Sequence, residues 1–574
     1  MSQSKGQIYK GRLRLLALAT VGAGVIVIVR LFTLQVWQHG LYEAIAAGKH
    51  EVIADLLPRR GTIYITDGST GVNVPVALNA DVYTVFAETR KMTDIEGAAR
   101  MIDDALHIGA KERWELYQKM LQKPDAAYIP LFSRMSEDDK DLLKEKNIEG
   151  IGFVRNPYRY YPEGETGAHV YGFYGIQPDG TSGGKYGLEG YFDQELAGEQ
   201  GRVAGERTAL GAWIPLGGRD YKPPKHGADI YLTIDRAIQH EVCTTIASRA
   251  DEFEAASAAA IAMDPKTGAI LAMCTHPGFD PNTYNEVESI DQFNNQTIFT
   301  PYEIGSIFKP LVMAAALDQE VITPSTKFED KGFWEIDRFT IKNAGEKKFG
   351  EVTMRQVLVD SINTGMIFVA ERLGHKNLRK YVQEYGFGEK IGIQLQTESP
   401  GNVSSLENDA FIYTATASYG QGITATPVQM LQAYSAIANG GKKVKPYIVE
   451  KIESAGKVTY EAEVEKDRVL SPRAAAMAAD MMSSVIDDGT SWVAGVEGYR
   501  LAGKTGTAQI AQGAGYGEET NQSFVGFGPV EDPKYILLVK FEKPNTLYAT
   551  YSAAPVFGQL SSFILQYMGV PPSR

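Results

Sequence analysis

The chain has 574 residues, and at about 100–200 residues for each domain this length predicts more than one domain. Hydrophobic residues make up 44% of the chain, which indicates packed globular domains rather than disorder. The formal net charge of −13 argues against a general nucleic-acid-binding protein, because such proteins usually carry a basic face.

The N-terminal region predicts a membrane anchor over residues 15–37. The uncharged run LLALATVGAGVIVIV, followed after Arg30 by LFTLQVW, gives about 22 residues, which is enough to span a bilayer as a helix. Basic residues in the tail 1–14 predict that this tail is cytoplasmic and that the bulk of the chain lies outside the cytoplasmic membrane. A buried core helix and a cleaved signal peptide are the alternatives, and the length of the apolar run favours an uncleaved single-pass anchor.

Residues 38–225 predict an elongated pedestal domain of mixed strands and helices. The stretches 94–106 and 112–121 have the apolar spacing of helices. The stretch 156–175 is rich in Pro, Gly and Tyr, which predicts loops and turns. Two prolines and a glycine precede an alternating strand within 221–235, and this pattern indicates a domain boundary near residue 225.

Residues 226–574 predict an α+β domain. AAIAMD and AILAMC form a predicted hairpin around PKTG, and SFVGFGPV and YILLVKFE form another. Thr426-Pro427 and Ser471-Pro472 mark the starts of two helices, and a further helix lies near the C-terminus. This order of elements predicts an antiparallel sheet with helices on its faces.

The two cysteines, Cys243 and Cys274, leave their pairing open. They could form a disulfide if this region is extracytoplasmic, but two buried free thiols fit the sequence at least as well. No Cys-x-x-Cys, His-x-His or His-Glu-x-x-His spacing occurs, so we expect no metal site and no cofactor.

Residues 498–509, GYRLAGKTGTAQ, allow two interpretations. Gly498, Gly503, Lys504 and Thr505 match the phosphate-loop pattern of nucleotide-binding proteins. That loop requires a strand before it and a helix that opens at Lys-Thr, whereas the preceding stretch is weakly strand-like and glycines follow Thr505. The alternative is a carboxylate-binding strand beside a serine nucleophile.

A nucleophile and a base are available in EIGSIFKPLVMAAAL. Ser306 and Lys309 are three residues apart, so at the start of a helix they lie on one face. The helix is apolar on every side, which predicts burial, and burial lowers the pKa of a lysine towards the range of a base. A plain helix start with a solvent-reaching lysine is the alternative.

Two more motifs follow in order. Ser361 and Asn363, 55 residues after Ser306, flank one residue, so both side chains point into a cleft from a turn between helices, although such residues are more often turns or caps. Lys504-Thr505-Gly506-Thr507 begins 143 residues after Ser361; on an edge strand Lys504 and Thr507 would bind a carboxylate, and Gly506 allows close backbone approach. Each motif alone is weak, but the ordered set is typical of penicillin-binding proteins and serine β-lactamases.

The sequence resembles class B penicillin-binding proteins, which are monofunctional peptidoglycan D,D-transpeptidases. The resemblance covers nearly the whole chain and includes RRGTIY (59–64), RYYPEGETGAHVYG (159–172), GLEGYFD (187–193) and LTIDRAIQ (232–239). GYRLAGKTGTAQ and YGQGITATPVQM look most like the division-type, septal branch. The chain departs from the family at Ile65-Thr66, where Asp-Arg is usual, at Ile304, where proline is common, and at Trp492, where a small residue is usual.

The resemblance implies a role for each motif residue. Ser306 is the nucleophile, Lys309 its base, Ser361 a proton relay and Asn363 the residue that orients the donor peptide. Lys504 and Thr507 hold the terminal carboxylate together with Thr505 and Gly506, and the backbone N–H groups of Ser306 and Thr507 form the oxyanion hole. The implied ligands are peptidoglycan stem peptides and β-lactams, and the implied partners are a membrane glycosyltransferase and division or elongation proteins.

Two rival functions use the same residues. A D,D-carboxypeptidase or a β-lactamase must deliver water to the acyl-enzyme, and the Glu-x-x-Asn pair expected for that is absent, since Asn402 lies four residues after Glu398. A non-catalytic β-lactam sensor or scaffold would not require Ser306, Lys309 and Lys504 all to be present.

Overall fold

The computed structural model describes residues 4–33, 35, 51–177, 180–206, 220–512 and 515–572. Its helices, in chain order, are α1 (Ser4–Phe32), α2 (Ile95–Leu106), α3 (Ala110–Leu121), α4 (Glu137–Glu145), α5 (Ala168–Tyr171), α6 (Gly187–Tyr191), α7 (Asp193–Ala197), α8 (Arg236–Glu252), α9 (Lys309–Asp318), α10 (Met354–Val359), α11 (Asn363–Leu373), α12 (His375–Glu384), α13 (Phe411–Ala417), α14 (Pro427–Ala438), α15 (Pro472–Asp487) and α16 (Ala553–Tyr567).

The strands follow the same convention. They are β1 (Glu51–Leu56), β2 (Ile63–Asp67), β3 (Val72–Ala87), β4 (Ile129–Met135), β5 (Ile151–Tyr160), β6 (Phe173–Ile176), β7 (Ser182–Lys185), β8 (Gly201–Glu206), β9 (Asp220–Lys222), β10 (Asp229–Asp235), β11 (Ser257–Met263), β12 (Ile270–His276), β13 (Tyr302–Glu303), β14 (Lys327–Asp330), β15 (Phe333–Ile336), β16 (Phe339–Lys342), β17 (Gly350–Thr353), β18 (Thr424–Ala425), β19 (Lys442–Val444), β20 (Val449–Ser454), β21 (Lys457–Glu461), β22 (Lys466–Arg468), β23 (Ala502–Gln512), β24 (Gly515–Gly528) and β25 (Tyr535–Glu542).

Helix α1 overlaps the predicted membrane anchor at residues 15–37. Among the helices of the described residues, none has both the length and the apolar run needed to cross a membrane. The predicted anchor is therefore not confirmed.

The chain divides into two compact units. The first combines Met1–Arg59 with Gly198–His226 and contains the antiparallel sheet β1-β8-β9. The second combines Arg60–Ala197 with Gly227–Arg574. The domain limits drawn from the sequence, with a boundary between residues 225 and 226, stay a prediction.

A seven-stranded sheet lies in the second unit. Its order is β21-β20-β10-β2-β3-β4, and β5 pairs with β3. The prediction of loops and turns over 156–175 is wrong for three parts of the stretch, because residues up to Tyr160 belong to β5, residues 168–171 form α5 and residues 173–175 belong to β6. Pro157 is tolerated there because β5 has one partner strand among the described residues, and an edge strand needs fewer backbone donors.

A buried ion cluster holds this region together. Glu189 is fully buried and accepts hydrogen bonds from the Nε atoms of Arg60 and Arg159, each at 2.6 Å. Arg60 also contacts Asp193 at 2.7 Å. Burial alone would raise the pKa of Glu189, but the two guanidinium groups hold it below its ordinary value.

A five-stranded antiparallel sheet, in the order β12-β11-β25-β24-β23, confirms both predicted hairpins. Helices α8 and α16 pack on one face, whereas α14 and α15 pack on the other. The prediction of an antiparallel sheet between helices is therefore confirmed. Strand β23, which carries Lys504, is at the edge of this sheet in the described part of the chain.

The predicted helix starts are also confirmed. Thr426 caps α14, where its hydroxyl accepts a hydrogen bond from the backbone of Gln429 and the Gln429 side chain accepts one from the backbone of Thr426. Ser471 caps α15 in the same way through the backbone N–H of Ala474. Proline occupies the first position of both helices, as the sequence predicted.

Cys243 of α8 and Cys274 of β12 form a disulfide, with their Cα atoms 5.2 Å apart. The choice that the sequence left open is thereby resolved in favour of pairing. The bond ties α8 to the sheet on the face where α16 also packs.

Candidate active site

Ser306 lies in the 3₁₀ turn Gly305–Phe308, which leads directly into α9. In a 3₁₀ turn the side chains at i and i+3 eclipse, so Ser306 and Lys309 share a face, as predicted. Gly305 has a φ of 56°, in the left-handed region that favours glycine, and its N–H donates to the carbonyl oxygen of Gly420 at 3.0 Å. This hydrogen bond ties the turn to a loop more than a hundred residues further along the chain.

A second hydrogen bond that holds this turn in place was not predicted from the sequence. Tyr434 of α14 is fully buried, and its hydroxyl donates to the carbonyl oxygen of Ile307 at 2.5 Å. Burial raises the pKa of Tyr434 well above its ordinary value, so the hydroxyl keeps its proton and remains a donor. No sequence signal marks this residue beyond its place in the predicted helix.

Lys309, the first residue of α9, is fully buried. Its Nζ donates to the carbonyl oxygen of Ser361 at 2.6 Å and to Asn363 Oδ1 at 2.8 Å, and it lies 3.1 Å from Ser361 Oγ. In the part of the chain that the structure describes, no hydrogen bond joins Lys309 to Ser306. The structure therefore links Lys309 directly to the second motif and to Ser306 through the shared turn.

Ser361 occupies the turn between α10 and α11, which confirms the predicted placement between helices. Its φ of 58° is unusual for a residue other than glycine and is of the kind found at functional sites. Asn363 is the first residue of α11, and its Nδ2 donates to the carbonyl oxygen of Lys342 at 3.2 Å. Both side chains thus reach Lys309 from one short segment.

Lys504 is 1% exposed and lies on β23. Its Nζ contacts the carbonyl oxygen of Thr505 at 3.3 Å. Burial lowers the pKa of Lys504 to about 7. Burial, and then the charge on Lys504, lower the pKa of Lys309 well below its ordinary value, which favours the neutral amine that a base requires.

Strand β23 runs close against the serine turn. A Cβ atom at Gly506 would lie 2.7 Å from Ser523 Oγ and 2.9 Å from Ile307 Cγ2, so any larger residue must displace these side chains or shift the strand. Side chains alternate along a strand, which places Thr505 and Thr507 on one face, and the Lys504 amine reaches that face, since its Nζ lies 3.4 Å from Thr505 Oγ1. The hydroxyl of Thr507 accepts a hydrogen bond from the N–H of Ala549 at 3.2 Å.

The phosphate-loop interpretation of residues 498–505 is wrong. Lys504 and Thr505 lie within β23, which continues to Gln512, whereas a phosphate loop needs a helix to begin at the Lys-Thr pair. The element before Gly498 is the short 3₁₀ turn Trp492–Ala494 and not a strand.

These groups form one constellation. A half-buried serine hydroxyl lies at the start of a helix, a buried amine of lowered pKa follows it, and a strand with a second buried lysine and two threonines borders the turn. A hydroxyl, a neutral amine and a cation are the groups required by nucleophilic acyl transfer to a substrate with a carboxylate. The assigned roles of the individual residues stay predictions.

Two protein families match different parts of this chain. Residues 258–562 match the penicillin binding protein transpeptidase domain, and residues 55–232 match the penicillin-binding protein dimerisation domain. Stage V sporulation protein D of Bacillus subtilis (strain 168) is 33% identical over 525 residues, which cover 90% of this chain and 79% of that protein.

A further relative and a solved structure agree with this family assignment. The peptidoglycan D,D-transpeptidase FtsI homolog of Mesostigma viride is 29% identical and the match covers 95% of this chain and 94% of that protein. The crystal structure of penicillin binding protein 3 from Mycobacterium tuberculosis, complexed with aztreonam, is similar with a TM-score of 0.69 at 25% identity, over 91% of this chain and 98% of that chain. The chain therefore belongs to the penicillin-binding protein transpeptidase family, as the order of its three motifs predicted.

Proposed function

We propose that this protein is a peptidoglycan D,D-transpeptidase that acts through an acyl-enzyme on Ser306. The observation that carries the proposal is the bonding of the buried Lys309 amine to Ser361 and Asn363, one helical turn from the Ser306 hydroxyl. A relative that carries the same activity in its name covers almost the whole chain.

In the first step Ser306 Oγ attacks the carbonyl carbon of the penultimate D-Ala of a stem peptide. Lys309, as a neutral amine, takes the hydroxyl proton, and Ser361 passes a proton to the leaving nitrogen. The peptide C–N bond breaks, D-Ala leaves as the free amino acid, and an ester bond joins the donor peptide to Ser306. The backbone N–H groups of Ser306 and Thr507 would stabilise the oxyanion that forms on the way.

In the second step the amine of a neighbouring stem peptide attacks the ester carbonyl. A new amide bond forms, the ester bond breaks, and the proton returns to Ser306 Oγ. Asn363 would orient the donor peptide, while Lys504 supplies positive charge and the hydroxyls of Thr505 and Thr507 supply donors for the terminal carboxylate. A β-lactam enters the first step in the same manner and stays as the acyl-enzyme.

The test is labelling of the full-length chain with a fluorescent penicillin, with wild type beside Ser306→Ala, followed by mass spectrometry of the labelled peptide. A lasting adduct on Ser306 in the wild type alone supports the proposal. Release of D-Ala from a stem-peptide pair, with formation of the crosslinked product, then separates a transpeptidase from a carboxypeptidase. Rapid loss of the penicillin adduct would favour a β-lactamase, and absence of any adduct would favour a non-catalytic scaffold.

We also propose that the N-terminal segment holds the protein at the cell membrane, with the catalytic unit on the extracytoplasmic side. The basic tail before the apolar segment 15–37 supports this orientation. The Cys243–Cys274 disulfide supports it as well, because disulfides persist in oxidising compartments. Membrane fractionation, together with protease access from the outside of spheroplasts, tests the orientation.

The proposed role in the cell is crosslinking at the division septum. The stretches GYRLAGKTGTAQ and YGQGITATPVQM, which resemble the division-type branch, support this choice over lateral wall synthesis. The partners would be a membrane glycosyltransferase that supplies glycan strands, and other division proteins. A fluorescent fusion that labels the side wall evenly instead of the septum would reject the septal role without affecting the enzymatic one.

A further inference from the structure

A buried carboxylate lies behind the segment that carries Ser361 and Asn363. Asp330, the last residue of β14, has no exposed surface. It accepts five hydrogen bonds, from Gly332 N at 3.0 Å, Phe349 N at 2.8 Å, Thr364 Oγ1 at 2.6 Å and Asn343 Nδ2 at 3.1 and 3.0 Å. Burial alone would raise the pKa of Asp330, but these hydrogen bonds hold it below its ordinary value.

Two of the four donors lead directly to the active-site segment. Thr364 follows Asn363 in the first turn of α11 and is fully buried. Asn343, which Asp330 holds by its amide nitrogen, accepts the backbone N–H of Thr364 on its Oδ1 at 3.1 Å. Lys342, the residue before Asn343, supplies the carbonyl oxygen that accepts a hydrogen bond from Asn363 Nδ2 at 3.2 Å.

The orientation of the Asn363 amide depends on these contacts. Its Oδ1 accepts from Lys309 Nζ at 2.8 Å while its Nδ2 donates to Lys342. If the amide turned over, its NH₂ group would face the lysine amine and its oxygen would face a carbonyl oxygen, and both contacts would be lost. A fixed Lys342 carbonyl therefore keeps an acceptor in front of Lys309.

We propose that Asp330 is a positioning residue for acyl transfer. Its carboxylate fixes Asn343 and Thr364, and through them the Asn363 amide and the Lys309 amine. This inference rests on the proposed function, since it assigns Asp330 to the acylation step on Ser306. Asparagine cannot replace Asp330, because an amide nitrogen would meet donors where the carboxylate oxygen accepts.

The test is the saturation kinetics of acylation of the full-length chain by a fluorescent penicillin, which separates Kd of the first complex from the limiting acylation rate. In Asp330→Asn we expect the limiting rate to fall from tenfold to about 100-fold, the loss that a small misplacement of catalytic groups causes, while Kd is unchanged. Thr364→Val, which removes the hydroxyl at nearly constant shape, should lose rate in the same way. Thr364→Ser, which keeps the hydroxyl, should retain the wild-type rate.

A matched control separates positioning from general loss of stability. Asp318, at the opposite end of α9 from Lys309, also accepts a backbone N–H, from Ser471 at 2.7 Å, and a hydroxyl, from Tyr381 at 2.5 Å. Asp318→Asn should lower Tm without lowering the acylation rate at a temperature where it is folded. If Asp318→Asn loses as much rate as Asp330→Asn, or if Asp330→Asn keeps the wild-type rate, the proposal is overturned.

The remaining outcomes are also decisive. If Asp330→Asn does not fold, the Thr364→Val and Thr364→Ser pair decides, and equal rates in the two variants overturn the proposal. If the wild type itself forms no adduct on Ser306, the proposed function fails and the role of Asp330 fails with it. Wild-type labelling combined with an unaffected Asp330→Asn rejects the role of Asp330 alone.

Discussion

Lys504 and Lys309 lie close enough in one buried site for the charge on Lys504 to lower the pKa of Lys309. Both side chains are almost completely buried, so burial alone already favours their neutral forms. The reaction needs the two lysines in different states, with Lys309 neutral as a base and Lys504 charged to attract a carboxylate. The repulsion between two positive charges favours this arrangement, because a pair with one charged lysine has a lower free energy than a pair with two.

The first prediction concerns the pH dependence of acylation. The second-order rate constant should rise with pH as the pair loses its first proton and should fall above about pH 7, as Lys504 loses its charge. In Lys504→Arg, whose guanidinium stays charged, the alkaline fall should disappear even if the overall rate is lower. Stopped-flow acylation by a penicillin across this pH range gives both profiles, and an unchanged alkaline fall in Lys504→Arg would contradict the assignment.

The second prediction tests the close approach of β23 to the serine turn. In Gly506→Ala the new Cβ atom must displace Ser523 or Ile307, so the strand moves away from the turn. We expect a loss of acylation rate on the order of 100-fold, with a smaller cost in stability of about 1–3 kcal/mol from overpacking. Penicillin labelling rates and thermal unfolding measure the two effects.

A double variant provides the control for this prediction. Ser523→Ala removes the oxygen that would lie 2.7 Å from the new Cβ atom. Gly506→Ala combined with Ser523→Ala should therefore recover part of the lost rate. No recovery would mean that the contact with Ser523 is not what moves the strand.

Local features of the fold and the site followed from the sequence, because each depends on residues a few positions apart. The capping pair Thr426 and Gln429 marks a helix start within four residues. In the same way Ser306 and Lys309 share a turn, and Ser361 and Asn363 share a bend. Each of these signals lies within four residues, so it can be recognised without knowledge of the tertiary fold.

The contacts that hold the site together could not be predicted in this way. Tyr434 supports Ile307 across 127 residues, and Gly420 supports Gly305 through its backbone, which no side-chain pattern reports. The groups that donate hydrogen bonds to Asp330 come from loops and from a helix, and no sequence motif links them. Strand β5 was missed for a related reason, since its pairing with β3 outweighs the local preference of Pro157 for a turn.

The third prediction concerns the buried ion cluster. Glu189→Gln leaves two buried guanidinium groups without their shared carboxylate, and we expect a loss of about 3–5 kcal/mol in the free energy of unfolding. Glu351→Gln, in the exposed pair with Lys327, is the matched control and should leave the free energy of unfolding unchanged. Chemical denaturation of the three proteins makes the comparison, and equal stability of Glu189→Gln and wild type would show that the cluster adds nothing to the fold.

The fourth prediction concerns the disulfide, which closes a loop with a sequence separation of 31 residues. A loop of this length stabilises the folded state by about 3–4 kcal/mol through the lost entropy of the unfolded chain. The double variant Cys243→Ala and Cys274→Ala should therefore have a lower Tm, and reductant should lower the Tm of the wild type but not that of the variant. Because the bond lies on the sheet face that carries α8 and α16, away from Lys309 and α14, the acylation rate at a temperature where both proteins are folded should be the same. A slower rate in the folded double variant would mean that α8 also restrains the strand that carries Lys504.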